Sequence, residues 1–274
     1  MSGLVLTLKE PPRQRIDMSP LIPQRLQGLD AAAIGGLELA SGNRRLRVGD
    51  LFAISPGDPN DLHITDSCAK LDGIGQAMAG GTITTQGDAG AYLGLAMEGG
   101  RIVVHGNAGA FAAAGMRGGL IEIDGNAGDC IGGALAGEMK GMSGGLVVVR
   151  GSAGDRTGDR MRRGTIIVEG DVGACAASRM IAGTLVVLGS ALGPYPGFGM
   201  KRGTLILLTP PQRQLPSFAD AGRHDLGFLR LLLLELRGHS RELDDLATRP
   251  TTVHRYVGDL AAGGTGEMLI WQNQ

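Results

Sequence analysis

Hydrophobic residues recur along the middle of the chain in short alternating runs that return every 19 to 20 residues. Each run has a starting residue, usually glycine, followed by an apolar side chain two positions later and, in nearly every run, another at four. Alternation with a period of two in β-branched residues predicts one short β-strand per run. The eight repeat units begin at Asn60, Gly81, Gly100, Gly119, Gly145, Gly164, Gly183 and Gly203.

The nearly constant spacing predicts how these strands associate. A strand that returns only after 19 to 20 residues is not joined to its neighbour by a tight hairpin, so each unit is expected to form one coil of the chain. Equivalent residues of successive coils then stack in ladders about 4.8 Å apart. The pattern therefore predicts an all-β fold, a single-stranded parallel β-helix of about eight coils over residues 60–208.

Two further columns support this interpretation. Seven of the 11 methionines lie three residues before a unit start, which predicts a packed internal ladder: Met78, Met97, Met116, Met142, Met161, Met180 and Met200. Small residues recur eight positions after the start and predict an inward corner: Cys68, Ala89, Ala108, Ala127, Ala153, Val172 and Ala191. One step is 26 residues long, and its extra residues within 129–144 are predicted to project as a loop.

The segments on either side of the repeat do not share its pattern. Residues 1–59 are predicted to form an N-terminal cap, with strands at 4–8 and 43–54. Residues 209–274 are predicted to form a C-terminal extension that starts where Pro210 stops the ladder. The extension is expected to hold a helix over 217–247, broken near Gly238, and a strand over 266–271. Such caps cover strand edges that would otherwise aggregate.

Composition narrows the class of protein. The 26 basic and 27 acidic residues give a net charge of −1, so neither nucleic acid nor an anionic membrane is expected as a partner. A hydrophobic content of 43% argues against disorder, so the 48 glycines are expected to be turns in a folded protein. The absence of a signal peptide and of a long apolar segment predicts a cytoplasmic protein, and three cysteines fit a reducing compartment.

The sequence contains no recognisable catalytic constellation. It lacks a complete dinucleotide fingerprint, a phosphate-binding loop and histidines or cysteines at metal-ligand spacing. Asp124 and Glu169 share an outward position, but they are two coils apart with Arg150 between them, so a carboxylate pair is not expected. No catalytic residue, cofactor ligand or metal ligand is therefore predicted in this chain.

An outward column of the predicted strands, which we name the apolar strip, is unusually rich in hydrophobic residues. It lies three residues after each unit start, where side chains should face solvent, and five members are candidates for a partner interface: Val103, Val148, Ile167, Val186 and Ile206. A contiguous apolar outer face indicates either a partner surface or cover by the C-terminal helix. The sequence leaves these two explanations open.

Basic side chains next to the unit starts form a second candidate surface. This basic ridge consists of Arg117, Arg162, Arg163, Lys201 and Arg202. The residues are consistent either with a solvated edge or with a site for an acidic partner or a polyanionic tail.

Particular segments resemble one known family over essentially the whole chain. The segments "LTLKEPP" (6–12), "GNRRLRVGDLF" (42–52), "LDGIGQAMAGG" (71–81), the "GNAG" units and "RYVGDLAAGGTGEMLIW" (255–271) are similar to the C subunit of formylmethanofuran dehydrogenase. The central repeat also resembles the C-terminal GXGXG domain of glutamate synthase, but the flanking segments do not. The resemblance implies a right-handed β-helix that is not itself catalytic, within an enzyme complex.

The resemblance implies two settings. One is a bacterial formyltransferase/hydrolase complex that converts formyl-tetrahydromethanopterin to formate through a methanofuran-type carrier in one-carbon (formaldehyde) oxidation, as in methylotrophy. The other is a molybdenum or tungsten formylmethanofuran dehydrogenase of an archaeon. The Arg-over-Lys bias favours the bacterial setting. Expected partners are hydrolase-type (A), B-type and formyltransferase (D) subunits, which would hold the carrier and metals, with no cofactor in this chain. The alternatives are a glutamate-synthase-like module and an enzyme acting alone.

Overall fold

The computed structural model describes residues 2–213 and 216–272, so small parts of the predicted cap and extension lie outside the described residues. The described part is mostly β, with a 13-stranded, largely parallel sheet and five short α-helices. The strands are β1 (Gly3–Leu8), β2 (Ile16–Asp17), β3 (Glu38–Ser41), β4 (Arg44–Arg47), β5 (Phe52–Ser55), β6 (Asp58–Ser67), β7 (Leu71–Asp72), β8 (Thr82–Gly87), β9 (Arg101–Val104), β10 (Leu120–Ile123), β11 (Ser143–Val149), β12 (Arg163–Val168), β13 (Thr184–Val187), β14 (Thr204–Leu207), β15 (Ala219–Asp225), β16 (Thr252–Gly258) and β17 (Gly266–Trp271). The helices are α1 (Pro23–Leu26), α2 (Ala31–Gly36), α3 (Val48–Leu51), α4 (Gly227–Glu235) and α5 (Arg241–Leu246), with a 3₁₀ turn at Leu260–Ala262.

The eight predicted strands are confirmed, together with their register. Strands β6 and β8 to β14 lie in the sheet in chain order, and each pairs in parallel with the next strand of this set. Residues two after each unit start lie opposite one another in one ladder: Leu62, Ile83, Ile102, Ile121, Val147, Ile166, Leu185 and Leu205. Every member of this ladder is fully buried. The period of the apolar pattern therefore aligns the units as the sequence predicts.

The parallel ladder is longer than the repeat alone. At one end β1 pairs in parallel with β6, and at the other β17 pairs in parallel with β14. Each added strand then pairs with an antiparallel strand, β5 at the first end and β16 at the second. Pro210 therefore interrupts the ladder along the sequence, but β17 resumes it after an excursion of the chain.

Methionine and small residues form the columns that the sequence predicts, with a correction at each end of the small-residue column. Cys68 does not belong to it, because Leu71 of the same unit accepts a hydrogen bond from Gly90 in the way that Ala89 accepts one from Gly109. All seven methionines of the predicted ladder are fully buried. Isolated parallel bridges join the small residues in the order Ala89, Ala108, Ala127, Ala153, Val172 and Leu192. The last member is Leu192 rather than Ala191, because this unit has one extra residue between its strand and the bridge.

The repeated Asn-Ala-Gly turn is held by a ladder of side chains. The Oδ1 of Asn107 accepts a hydrogen bond from the backbone N–H of Asn126 at 2.9 Å, and Asn126 accepts from Ser152 at 2.8 Å. Asp88 begins this turn ladder and Asp171 ends it, each accepting from the backbone of the next unit. A short side-chain acceptor at this position therefore satisfies a backbone donor that the turn leaves unpaired.

The flanking segments differ from the predictions in two places. Residues 219–225 form β15 rather than the start of a helix, because their backbone pairs antiparallel with β16. The helical part begins at Gly227 and is broken at Gly238, whose φ is +82°. The predicted strand at 43–54 is divided into β4, α3 and β5. Among the described residues, no helix is long and apolar enough to cross a membrane.

Candidate functional site

The predicted apolar strip is covered by the protein's own C-terminal extension. Val148 and Ile167 are fully buried, and Val186 and Ile206 are at most 3% exposed. They pack in a second core with apolar residues of α4, α5, β16 and β17: Leu229, Leu233, Leu236, Leu243, Leu246, Val253, Leu269 and Trp271. Of the two explanations left open, cover by the C-terminal extension is therefore the one found for these four residues, and the expectation that they face solvent as a partner surface is wrong. The fifth, Val103, lies beyond the cover and is partly exposed.

A network of charges lies beside the covered strip. Glu122 is 8% exposed and takes the outward position between Val103 and Val148, where it accepts a hydrogen bond from the Nε of Arg101 at 2.7 Å. The guanidinium of Arg150 lies 3.2 Å from Asp124 and 3.5 Å from Glu169. Arg150 thus separates the two carboxylates, as the sequence predicts, and this arrangement is that of an ion-pair network.

Three of the histidines are each placed beside one acid. His105 Nδ1 lies 2.7 Å from Asp124, His63 lies 3.1 Å from Asp61, and His254 lies 2.7 Å from Asp220. The hydrogen bond with His254 is the main cause that lowers the pKa of Asp220. No group of three or more His, Cys, Asp or Glu side chains that could hold a metal occurs in the described ranges.

The residues of the basic ridge are all exposed but do not form an unbroken row. Arg117 pairs with Glu98 at 2.7 Å, and Lys201 Nζ donates to the carbonyl of Ala262. The column that holds Arg117, Arg162 and Lys201 is interrupted: the backbone bonds at this position run through Ser143 and Ile181 in the intervening units. Arg163 pairs with Ser143 in the sheet, and Arg202 is exposed. The structure therefore places these five cations at one edge in three groups, which uncharged residues of the intervening units separate.

A different surface lies at the turns that follow the small-residue column. One residue in each of six successive units has a left-handed backbone and an outward side chain; we name these the turn row: Tyr92, Phe111, Cys130, Arg156, Cys175 and Tyr195. Each of the first five donates its backbone N–H to the carbonyl just before the next member. The rings of Tyr92 and Phe111 stack with centroids 5.6 Å apart.

Two residues further along each turn the backbone is left-handed again, but the position is occupied by glycine or alanine. At Gly94, for example, a Cβ would lie 2.3 Å from Cδ1 of Ile121. This position therefore faces the core, where only a small residue fits. The turn row faces outward, so its side chains are not limited in this way.

Beside the turn row, a buried carboxylate is held by two units. Asp159 is 4% exposed and accepts hydrogen bonds from Ser178 Oγ at 2.7 Å and from Arg179 at 2.9 and 2.5 Å. Burial, followed by the charges of Asp159 and Asp129, raises the pKa of the Cys130 thiol. A thiol with a raised pKa stays protonated at neutral pH, so Cys130 is not suited to be a nucleophile.

The predicted insertion loop projects over the same surface. Residues 136–140 are exposed, and Met139 is 69% exposed. On one side of the loop lies an apolar pocket of about 800 Å³ against Tyr92, Phe111, Leu95 and Ile16. On the other side lies a pocket of about 450 Å³ with Cys130, Arg156, Asp159, Arg160 and Arg179. Phe111, Leu135 and Ala136 line both pockets, so they are two halves of one surface.

Neither the turn row nor its pockets is among the sites that the sequence predicts. The signal is present in the repeat alignment, since a residue other than glycine recurs eleven positions after five unit starts and twelve after the sixth, in turns otherwise rich in glycine. It becomes visible only when that position is known to be left-handed and outward-facing.

Similarity to known proteins extends over nearly the full length of the chain. No family model matches the sequence. The chain is 46% identical over 257 residues to the C subunit of the formyltransferase/hydrolase complex Fhc of Methylorubrum extorquens, covering 94% of this chain and 95% of the relative. The C subunit of the tungsten-containing formylmethanofuran dehydrogenase 2 of Methanococcus maripaludis is 34% identical over 96 residues, about a third of either chain.

The fold is similar to that of a solved structure. The X-ray crystal structure of the formyltransferase/hydrolase complex (FhcABCD) from Methylorubrum extorquens in complex with methylofuran contains a chain that superposes with a TM-score of 0.91 at 41% identity. The match covers 98% of this chain and 100% of that chain.

Proposed function

Since the chain belongs to the family of C subunits of the formyltransferase/hydrolase complex, we propose that it is the non-catalytic scaffold of such a complex. The observation that carries the proposal is the end-to-end match to a chain of a complex solved with its other subunits. The complex would convert formyl-tetrahydromethanopterin to formate through a methanofuran-type carrier. The partners of this chain would be A, B and D subunits.

The bacterial setting is favoured over the archaeal dehydrogenase. The match to the bacterial relative covers 94% of the chain and therefore most of each flanking segment, whereas the match to the archaeal relative covers 34%. A shared repeat alone would match both to a similar extent, so the flanking segments distinguish the two. Nothing in the described residues favours the glutamate-synthase-like alternative.

The architecture that suits a scaffold is a right-handed parallel β-helix over residues 60–208, closed by the segments 1–59 and 209–274. Three features support it: strands of successive units pair in parallel, a second ladder of bridges runs through their turns, and the methionine ladder fills the interior. A rod of this kind presents several independent faces to several partners.

The carrier and the metals are assigned to the partner subunits, and the complex to the cytoplasm. The geometry that a reaction needs, a base or nucleophile oriented within a pocket, is not formed by the pairs described above. The insertion-loop pocket holds a protonated thiol and a carboxylate already bound by Arg179. We therefore assign the chemistry to other subunits.

Replacement of the relative's own chain tests the proposal. A Methylorubrum extorquens strain that lacks its own C subunit would express this chain with an affinity tag. The expected result is co-purification of the A, B and D subunits and restored formyltransferase/hydrolase activity, with no activity of the chain alone. Recovery of the tagged chain without these partners, or turnover by the isolated chain, would contradict it.

A further inference from the structure

The turn row carries side chains, four of them aromatic or arginine, at backbone positions that favour glycine. Its six φ angles lie between 56° and 62°. Residues with a Cβ are strained in this region, whereas glycine is not. Among the described residues, glycine occupies 22 of the 29 other positive-φ positions but none of these six. Since glycine would form the same turn with less strain, the fold itself does not require these side chains.

The residue types on this surface are those that anchor interfaces. Tyr92, Phe111, Tyr195 and the neighbouring Phe198 are four of the chain's nine aromatic residues. Tyr92, Tyr195 and Phe198 are 38%, 50% and 55% exposed, so the fold leaves a large part of each aromatic side chain uncovered. Tyrosine, arginine and methionine are enriched in the buried centres of protein interfaces. Six stacked units span about 24 Å, comparable with the width of a standard interface.

Arg156 lies at the centre of the row without a partner for its charge. Within the described ranges its guanidinium makes no ion pair or hydrogen bond, while Arg179 is bound to Asp159. The guanidinium of Arg160 donates to the carbonyl of Glu138 and contacts the sulfur of Met139, so its positive charge is not neutralised. The lining of the pocket beside the insertion loop holds three arginines, Arg156, Arg160 and Arg179, against two carboxylates, Asp159 and Glu138. It therefore has an excess of one positive charge and is suited to a carboxylate.

The outward face of the parallel sheet, the other surface considered for a partner, is not open for docking along its apolar strip. Its apolar strip is buried by α4, α5, β16 and β17 of the same chain. The turn row and the insertion loop together form a surface with exposed aromatic side chains, the guanidinium of Arg156, which is unpaired within the described part of the chain, and a projecting loop.

We propose that the turn row and the insertion loop form the surface on which a partner subunit of the complex docks, with an acidic side chain of that partner bound to Arg156. This inference rests on the proposed function and adds the surface by which the chain acts. The apolar pocket against Tyr92 and Phe111 receives an apolar side chain of the same partner.

Substitution by glycine separates an interface role from a structural one. Arg156→Gly removes the charge and also relieves the left-handed strain. If Arg156 serves docking, the full chain unfolds at the same or a higher temperature, and association with the partner subunits weakens at least tenfold. A structural role would lower the unfolding temperature and weaken association together. Association is measured by pull-down through a tagged partner subunit at increasing amounts of the chain.

Asp66→Gly is the matched control. Asp66 is also exposed and left-handed, with a φ of 56°, but it lies outside the turn row in the first repeat unit. This variant is expected to raise the unfolding temperature without changing association. Raising NaCl from about 50 to about 500 mM should weaken association of the unmodified chain more than that of Arg156→Gly, because salt screens the proposed ion pair.

The outcomes distinguish the two proposals. If the unmodified chain fails to bind A, B or D subunits, the proposed function fails. If it binds and Arg156→Gly, Tyr92→Gly and Tyr195→Gly bind equally well, the docking surface is wrong while the function stands. If the isolated chain self-associates and the same variants abolish only that association, the occupant is a second copy of this chain and the partner assignment is overturned.

Discussion

The guanidinium of Arg179 holds the carboxylate of Asp159, which belongs to the preceding repeat unit, through two hydrogen bonds of 2.9 and 2.5 Å. Asp159 is buried, and Ser178 adds a third hydrogen bond. The charge of Arg179 and this geometry raise the strength of the contact above that of an exposed pair. The contact also raises the pKa of Arg179, chiefly through the hydrogen bond. This contact therefore joins two consecutive repeat units beside the turn row.

Asp159→Asn is expected to destabilise the protein by about 1 to 3 kcal/mol, because a charge-assisted contact is lost and a buried amide is left poorly satisfied beside the guanidinium. Chemical denaturation of the full chain measures this. Glu98→Gln is the control: its pair with Arg117 is exposed on both sides, and such pairs contribute about 0 to 1 kcal/mol. Equal losses of stability in the two variants would show that the contact between Asp159 and Arg179 contributes no more than an exposed ion pair.

Val148→Asp should release the C-terminal extension. A charge at this fully buried site cannot be satisfied among the leucines of α4 and α5, and several kcal/mol of stability would be lost. Limited proteolysis should cut first near residues 227–246, and the thermal midpoint should fall. Val103→Asp, at the same position of another strand but partly exposed, is expected to have a smaller effect. If the two variants were cut at the same sites and at the same rate, the C-terminal extension would not be what covers Val148.

Asp259 is expected to make the attachment of the C-terminal extension weaker in acid. Burial acts to raise the pKa of this carboxyl, but hydrogen bonds from Ser217 and from the backbone of Gly199, Ala261 and Ala262 lower it overall. Its stabilising contribution is therefore complete above the unfolded pKa of about 3.9 and is lost as the pH falls through the lower folded pKa.

Thermal midpoints of the full chain and of Asp259→Asn, measured from about pH 2 to about pH 7, test this. The difference between the two proteins should be constant above about pH 5 and should shrink below about pH 4. A difference that grows on acidification would reverse the sign and refute the role of the carboxylate.

The turn ladder predicts which side chains can replace asparagine. Asn126→Ala removes the acceptor for the N–H of Ser152, and we expect a loss of about 1 kcal/mol. Asn126→Asp keeps the oxygen and should cost less, since Asp171 already accepts in this way from Ala191. Urea denaturation of both variants measures the two losses. Identical losses would show that the acceptor oxygen is not what stabilises the turn.

The part of the fold that is periodic could be predicted from the sequence. The alternation of apolar residues is local, so it identifies eight strands, and the fixed spacing places Leu62 through Leu205 in one register. The methionine ladder and the projecting loop follow from the same spacing. The off-by-one assignment of Ala191 arose because a single inserted residue changes the register of a turn without changing the pattern of the strand.

What covers the apolar strip was decided by tertiary structure. Val148 and Ile167 are equally apolar whether a partner or the chain's own helices bury them, and their contacts with α4 and α5 join residues 60 or more positions apart. The turn row was hidden for a related reason: sequence shows the residue type of Arg156 or Tyr92, but the left-handed backbone and the outward direction exist only in the folded turn. The sequence by itself determined the repeating strands and their register, because that information is periodic and local. Only the tertiary structure decided which faces remain open, because burial depends on contacts between segments distant along the chain.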